Sequence, residues 1–367
     1  MEIDRENKEI ENLSGKVNEL RVKLREEHSK SQHLHRSIAF DHNRFIESEI
    51  FTESDVTGIC SRIKRRKHAT EEDLIKLATS FYQNEANISA FMKITGAINV
   101  IVKEFIGHSD RQLLTAQALC NLSLSDACCS KIATFAGAYL MIYLRNLTQT
   151  SLIRVCIWTL QNLVSSNNHK ALDILMSQEL LQNTLYLTNT GDVELKHEAI
   201  QLLDLIVERK WTSLGIDEKD QVIKSIVSYV NSHPLDYNAL QCLYRTGLYI
   251  EGESLTNLVN LMSGNVINLP FSHDNEKSFY FSVKILSNLF KLDPHHLPLF
   301  LEMLLKNNIK LSNIINEALK VPKLFNITND LIHFAGLILT SEQPVALSYL
   351  AHDDLVNNLQ IPKMFAF

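Results

Sequence analysis

Three groups of residues in this chain have types and spacings that could do chemistry. Trp158 and Asn162 stand four apart, which places an indole and a carboxamide on one face of a helix. Asp204 and Glu208 repeat that spacing with two carboxylates, which could receive basic side chains or form a solvated helix face. Arg62, Lys64, Arg65, Arg66 and Lys67 put five cations into six positions. So dense a cluster suits a localisation signal, an autoinhibitory strip or a solvated helix end. None of these groups spells a reaction. The six Cys (60, 120, 128, 129, 156 and 242) form no CxxC pair, and the adjacent Cys128-Cys129 suits neither a disulfide nor a zinc site. His295-His296 follows Asp293-Pro294 and reads as a turn. No GxSxG, GxxxxGKS/T or GxGxxG occurs, so the expectation is a non-catalytic chain with no metal and no cofactor.

The elements that hold these residues follow from composition and repetition. The chain has 367 residues, of which 45% are hydrophobic and 21% charged, with only 11 Gly and 7 Pro. So few turn-formers argue against a sheet-rich fold or a glycine-built nucleotide loop. A mean hydropathy of −0.05 is too apolar for a disordered chain. The net charge of −6 argues against general nucleic-acid binding. Cysteines set in apolar runs predict reduced, buried thiols and a cytoplasmic or nuclear protein. The N-terminus is charged and lacks the apolar core of a signal peptide. The longest apolar run, Phe135 to Leu144, is about half a membrane span.

Along the chain, residues 1–50 differ from the rest. Ile3, Ile10, Leu13, Val17, Leu20 and Leu24 follow the a/d spacing of a coiled-coil seam, which predicts a long amphipathic helix that dimerises or folds back. Residues 51–70 read as a basic linker. Thr70, followed by Glu71, Glu72 and Asp73, predicts an N-cap with an acidic first turn and a helix from 71. Residues 71–350 read as almost continuous helix, and 351–367 as a C-terminal tail.

Internal repeats organise the helical region. Gln117-Ala118-Leu119-Cys120-Asn121-Leu122 is echoed 41 residues later by Trp158-Thr159-Leu160-Gln161-Asn162-Leu163. Further echoes begin at Ile200, Gln241 and Lys284, so the phase holds over five units. Gly96 and Gly137, 41 apart, read as equivalent helix-to-helix turns. A period near 42 with two or three helices per unit predicts an all-α armadillo or HEAT solenoid.

On Trp158-Thr159-Leu160-Gln161-Asn162 the chain resembles the armadillo-repeat family, and within it the importin-α-like nuclear import adaptors. The resemblance implies a right-handed superhelix whose third repeat helices line a concave groove. There Asn121, Trp158, Asn162 and Asn288 would hold an extended peptide, with Asp204 beside them for basic side chains. An Asn amide offers a donor and an acceptor to a peptide backbone, and an indole face attracts a cation. This sequence departs from the pattern where Gln117, Ile200, Gln241 and Lys284 replace the Trp, and where Asp204 and Arg245 replace the Asn. Glu19-Leu20-Arg21-Val22-Lys23-Leu24-Arg25-Glu26-Glu27 resembles the core of an importin-β-binding helix, which implies a carrier contact through Leu20, Arg21, Lys23 and Arg25. The implied function is a protein-binding adaptor with importin-β and basic-peptide cargo as partners. The alternative is a scaffold or assembly factor, dimerised through the N-terminal helix and unrelated to nuclear import.

Overall fold

The computed structural model describes residues 50–107, 110–247, 253–268, 275–320 and 325–359. Every regular element among these residues is a helix, so the fold is all-α. The heptad positions from Ile3 to Leu24, and the carrier-contact residues Leu20, Arg21, Lys23 and Arg25, lie outside the described residues. The chain forms two compact units. One contains the described residues up to Leu140 together with Arg154–Leu175. The other contains Met141–Ile153 and the described residues from Met176 onward.

In the first unit, residues 51–70 are not a linker. Val56, Ile59, Cys60 and Ile63 recur at helical spacing, and all four are buried on one side of the helix Glu53–Arg66. Thr52 and Asp55 close a capping box at its start. Phe51 is tied in as well, its carbonyl accepting from Asn87 Nδ2 at 3.0 Å. The next helix, Glu71–Gln83, begins where the sequence predicts, with Thr70 and Asp73 as a second capping box. Gly96 takes φ +87° between Glu85–Lys93 and Ala97–Gly107, a conformation that favours glycine.

Gly137 does not repeat that turn. It lies inside the unbroken helix Asp126–Leu144 and is absent from the positive-φ residues. A glycine permits a break, but the nearby Thr134 hydroxyl donates back to Ser130 O within the helix and caps no new turn. This 19-residue helix is long and apolar enough to cross a membrane by length and composition, and half of its most apolar window is buried within the fold.

In the second unit, Asp192, Asp236 and Asp293 accept backbone N–H groups at the starts of Val193–Lys210, Tyr237–Arg245 and the short turn Pro294–His296. Phe290, Phe300 and Phe334 form an aromatic core, with centroids 5.2 to 5.9 Å apart. Each such pair adds about 0.5–1.5 kcal/mol beyond the area it buries. Residues 351–359 are not a free tail. Asp353 is fully buried, and its carboxylate accepts from the Ser312 backbone at 3.0 Å and the Ser312 hydroxyl at 2.6 Å.

Within each unit, hydrogen bonds recur at the separation of the sequence repeat. Arg111 Nη1 donates to Ala69 O, 42 residues back, and the Asn167 amide to Asp126, 41 back. Ser278 Oγ donates to Leu235 O across 43 residues, and Asn316 Nδ2 to Asn358 O across 42. The period read from the sequence is therefore also the spacing at which helices are fastened to one another.

Candidate partner-binding surface

The residues assigned to a groove by sequence occupy a single register, and most of them face the interior. Asn121 is 3% exposed, and its Nδ2 donates to Ala78 O at 2.8 Å. Asn162 is 4% exposed and donates to Cys120 O at 3.3 Å and Ser123 Oγ at 3.0 Å. Arg245, at the same position two echoes later, donates to Asp204 O at 3.5 Å. In each case the side chain reaches a backbone carbonyl 41 to 43 residues earlier. A helical carbonyl keeps a second lone pair after its own helix bond, and these donors take it. The register thus staples helices together.

Trp158 is buried as well, at 5% exposure. An indole is among the largest apolar groups a chain carries, and here it contributes to the interior and not to an open ring platform. Asp204 is 7% exposed, and Oδ2 lies 2.6 Å from Arg245 Nη1. Glu208 Oε1 approaches the same guanidinium at 3.2 Å. Burial lifts the Asp204 carboxyl to about 6, against the pull of Arg245. Of the groove residues read from sequence, Asn288 alone is half-buried and has no hydrogen bond among the described residues.

Asn288 belongs to a face that sequence reasoning missed. Lys277 Nζ sits 4.4 Å from the ring centroid of Tyr237, and Lys284 Nζ 5.8 Å from that of Tyr280. Phe281 joins the two helices, 5.2 Å from Tyr280 and 6.1 Å from Tyr244. Lys284 also meets Asp330 at 2.6 Å, and Lys291 meets it at 3.6 Å. The signal was present in the spacing: Tyr237 and Tyr244 are seven apart, as are Lys277, Lys284 and Lys291. On adjacent helices, that spacing aligns two stripes.

The basic cluster ends a helix. Arg62 and Arg66 reach the buried carboxylate of Asp73 at 3.3 and 3.6 Å, while Lys64, Arg65 and Lys67 are exposed. Lys67 caps the helix in the left-handed region at φ 56°. Cations in a last turn complement the helix dipole. The cluster is therefore a fixed helix end and not an extended strip.

One further cluster links three helices of the second unit. His197 Nδ1 lies 2.7 Å from Asp236 Oδ2, and Tyr229 donates to the same oxygen at 3.0 Å. Gln201 Nε2 is 2.9 Å from His197 Nε2. The hydrogen bond to Asp236 holds the imidazole above its usual range. Burial pushes Asp236 up, but hydrogen bonds from His197, the Ala239 amide and Tyr229 outweigh it and hold the carboxyl low. All six Cys are buried free thiols; burial raises Cys128 to about 11 and Cys60 and Cys129 to about 12. Among the described residues, no three His, Cys, Asp or Glu side chains are grouped to hold a metal ion.

No family model matches the chain, and no curated protein is significantly similar to it. Engineered proteins are among its structural likenesses. One, solved as target OR497 of the Northeast Structural Genomics Consortium, aligns with a TM-score of 0.53 at 16% identity. The alignment covers 84% of this chain and 79% of that one. A second, target OR329, aligns with a TM-score of 0.49 at 16% identity over 65% of this chain and 97% of that one. At such identity the first likeness speaks for the helical fold alone.

Proposed function

We propose that the chain is a non-catalytic protein-binding solenoid of the armadillo type. It presents partner segments to a surface built from the last helix of successive repeats. The observation that carries this reading is the fastening of helices at one-repeat separation, 41 to 43 residues, within each unit. A fold assembled from neighbour contacts exposes an extended ridge, which is the surface such proteins use to bind.

Two forms of this reading differ in partner. An importin-α-like adaptor would take importin-β at its N-terminal segment and basic peptides in the groove, and would work in cytoplasm and nucleus. A scaffold or assembly factor would dimerise through residues 1–50 and hold other proteins. Burial of Trp158, Asn121 and Asn162 favours the scaffold form, because their amides and indole are engaged inside the fold.

Cross-linking mass spectrometry on partners captured from cell extract tests both forms. The full-length chain is compared with one lacking residues 1–49, which leaves the folded Glu53–Arg66 helix intact. Importin-β captured by the first and lost from the second supports the adaptor. Its absence from both, with self-association lost on truncation, supports the scaffold. No partner cross-linked to Lys277, Lys284 or Lys291 sinks the binding surface in either form.

A further inference from the structure

An exposed apolar edge of the first unit lies beside the point where the N-terminal segment joins it. Phe51 is that point: its amide donates to Gln83 Oε1 at 3.0 Å, and its carbonyl accepts from Asn87 Nδ2 at 3.0 Å. Next to Gln83, Tyr82 is 42% exposed near the end of Glu71–Gln83. One repeat later, Leu124 is 37% exposed just past the end of Gln112–Leu122. These two helices are fastened to each other by the Asn121 bond to Ala78 O. The turns that follow them are joined as well, Ser125 Oγ donating to Glu85 Oε1 at 3.4 Å. Phe51, Tyr82 and Leu124 therefore follow one another along a single edge.

We propose that residues 34–46 of the same chain cover this edge, with Phe45 on Tyr82 and Ile38 on Leu124. The occupant here is the chain itself, so the inference does not rest on the partner-binding reading. Leu34, Ile38 and Phe45 keep spacings of four and seven, which suit one face of a helix. Seven helical residues rise about 10 Å, and packed helices lie about 8–10 Å apart. The separation of Ile38 from Phe45 thus matches that of side chains at equivalent places on two adjacent helices.

The tether is short enough to select this occupant. Ile46 to Ile50 join Phe45 to Phe51, and six extended steps reach about 20 Å. Tyr82 adjoins the very residue that Phe51 bonds, so Phe45 reaches it easily. A short tether holds its segment at an effective concentration of about millimolar, which favours it over a second copy or a dilute partner. The seam from Ile3 to Leu24 would then leave the unit beyond Leu124, with its apolar stripe still to be covered.

Photo-cross-linking of the full-length protein tests this, with benzoylphenylalanine placed at position 82 in one variant and at position 124 in another. Mass spectrometry is expected to find cross-links from position 82 on residues 42–48, and those from position 124 on residues 34–41, within one chain. Mixing isotope-labelled with unlabelled protein identifies the occupant: cross-linked peptides of mixed label show a second copy and overturn the proposal. Cross-links from both positions that fall outside residues 34–48 also overturn it, as does the lack of any cross-link to that stretch. Ile38→Asp with Phe45→Asp is expected to lower the yield from both positions at least about tenfold, because an unpaired charge is costly to bury. An unchanged yield in that variant removes Ile38 and Phe45 as the covering residues and overturns the pairing.

Discussion

The carboxylate of Asp204 and the guanidinium of Arg245 close to 2.6 Å across 41 residues of sequence. They stand at consecutive positions of the register that places Asn121 and Asn162 in the first unit. A peptide clamp would need these side chains turned outward. Here the acidic and basic replacements pair with one another through Asp204 Oδ2.

Arg245→Ala is accordingly expected to destabilise the protein by about 3 kcal/mol at neutral pH, since it leaves a buried carboxyl without its partner. The folded value of Asp204 already lies above its ordinary one, so its ionisation costs stability as pH rises from about 4 to about 6, and losing Arg245, which pulls that value down, extends the loss to higher pH. The deficit should therefore be larger at pH 8 than at pH 5 in urea unfolding. Adding Asp204→Asn should recover part of it. A deficit that is equal at both pH values would contradict this.

Asn121→Ala and Asn162→Ala should each cost about 1–3 kcal/mol, the penalty for leaving a buried carbonyl bond unmade. Thermal unfolding reads the loss directly. An outward-facing clamp would behave in the opposite way, losing partner binding while its melting temperature stayed unchanged.

His197 gives the second unit a pH dependence of known sign. Its folded value is raised, so its contribution is complete below the ordinary imidazole value of about 6.5 and declines as pH climbs through the folded value. Asp236 is depressed, so its contribution is complete above the ordinary carboxylate value and is lost in acid. The pair is therefore strongest between about pH 4 and 6.5. Stability of the wild type measured from pH 6 to pH 8 should fall more steeply than that of His197→Gln. Identical slopes would remove the ion pair from the account.

Asp353→Ala should cost about 3 kcal/mol or more, because four groups donate to this buried carboxylate. Hydrogen exchange should show the amides at the start of Leu311–Lys320 losing protection first. Uniform exchange across the second unit would argue for a global effect instead.

The helical class and the 41 to 43 residue phase were legible because apolar spacing and repeated hexapeptides report local geometry directly. Thr70 was legible for the same reason, since a cap is a matter of neighbouring residues. The destinations of side chains were not. Nothing local distinguishes an Asn that clamps a ligand from one that reaches a carbonyl 42 residues earlier, so Asn121 and Asn162 were assigned to the wrong side of their helices. Gly137 was misread because a glycine allows a turn without demanding one. The Tyr237 to Lys291 strip escaped notice because its two stripes carry meaning only when adjacent.

The buried thiols have a practical consequence. Cys60, Cys120, Cys128, Cys129, Cys156 and Cys242 sit in five different helices, and all six are buried in the folded chain. A thiol-reactive dye can reach each one only when its own segment opens. The rate at which each position is modified therefore times the local opening of its helix, and mass spectrometry can read all the clocks at once. The native chain carries its own reporters of where it comes apart first.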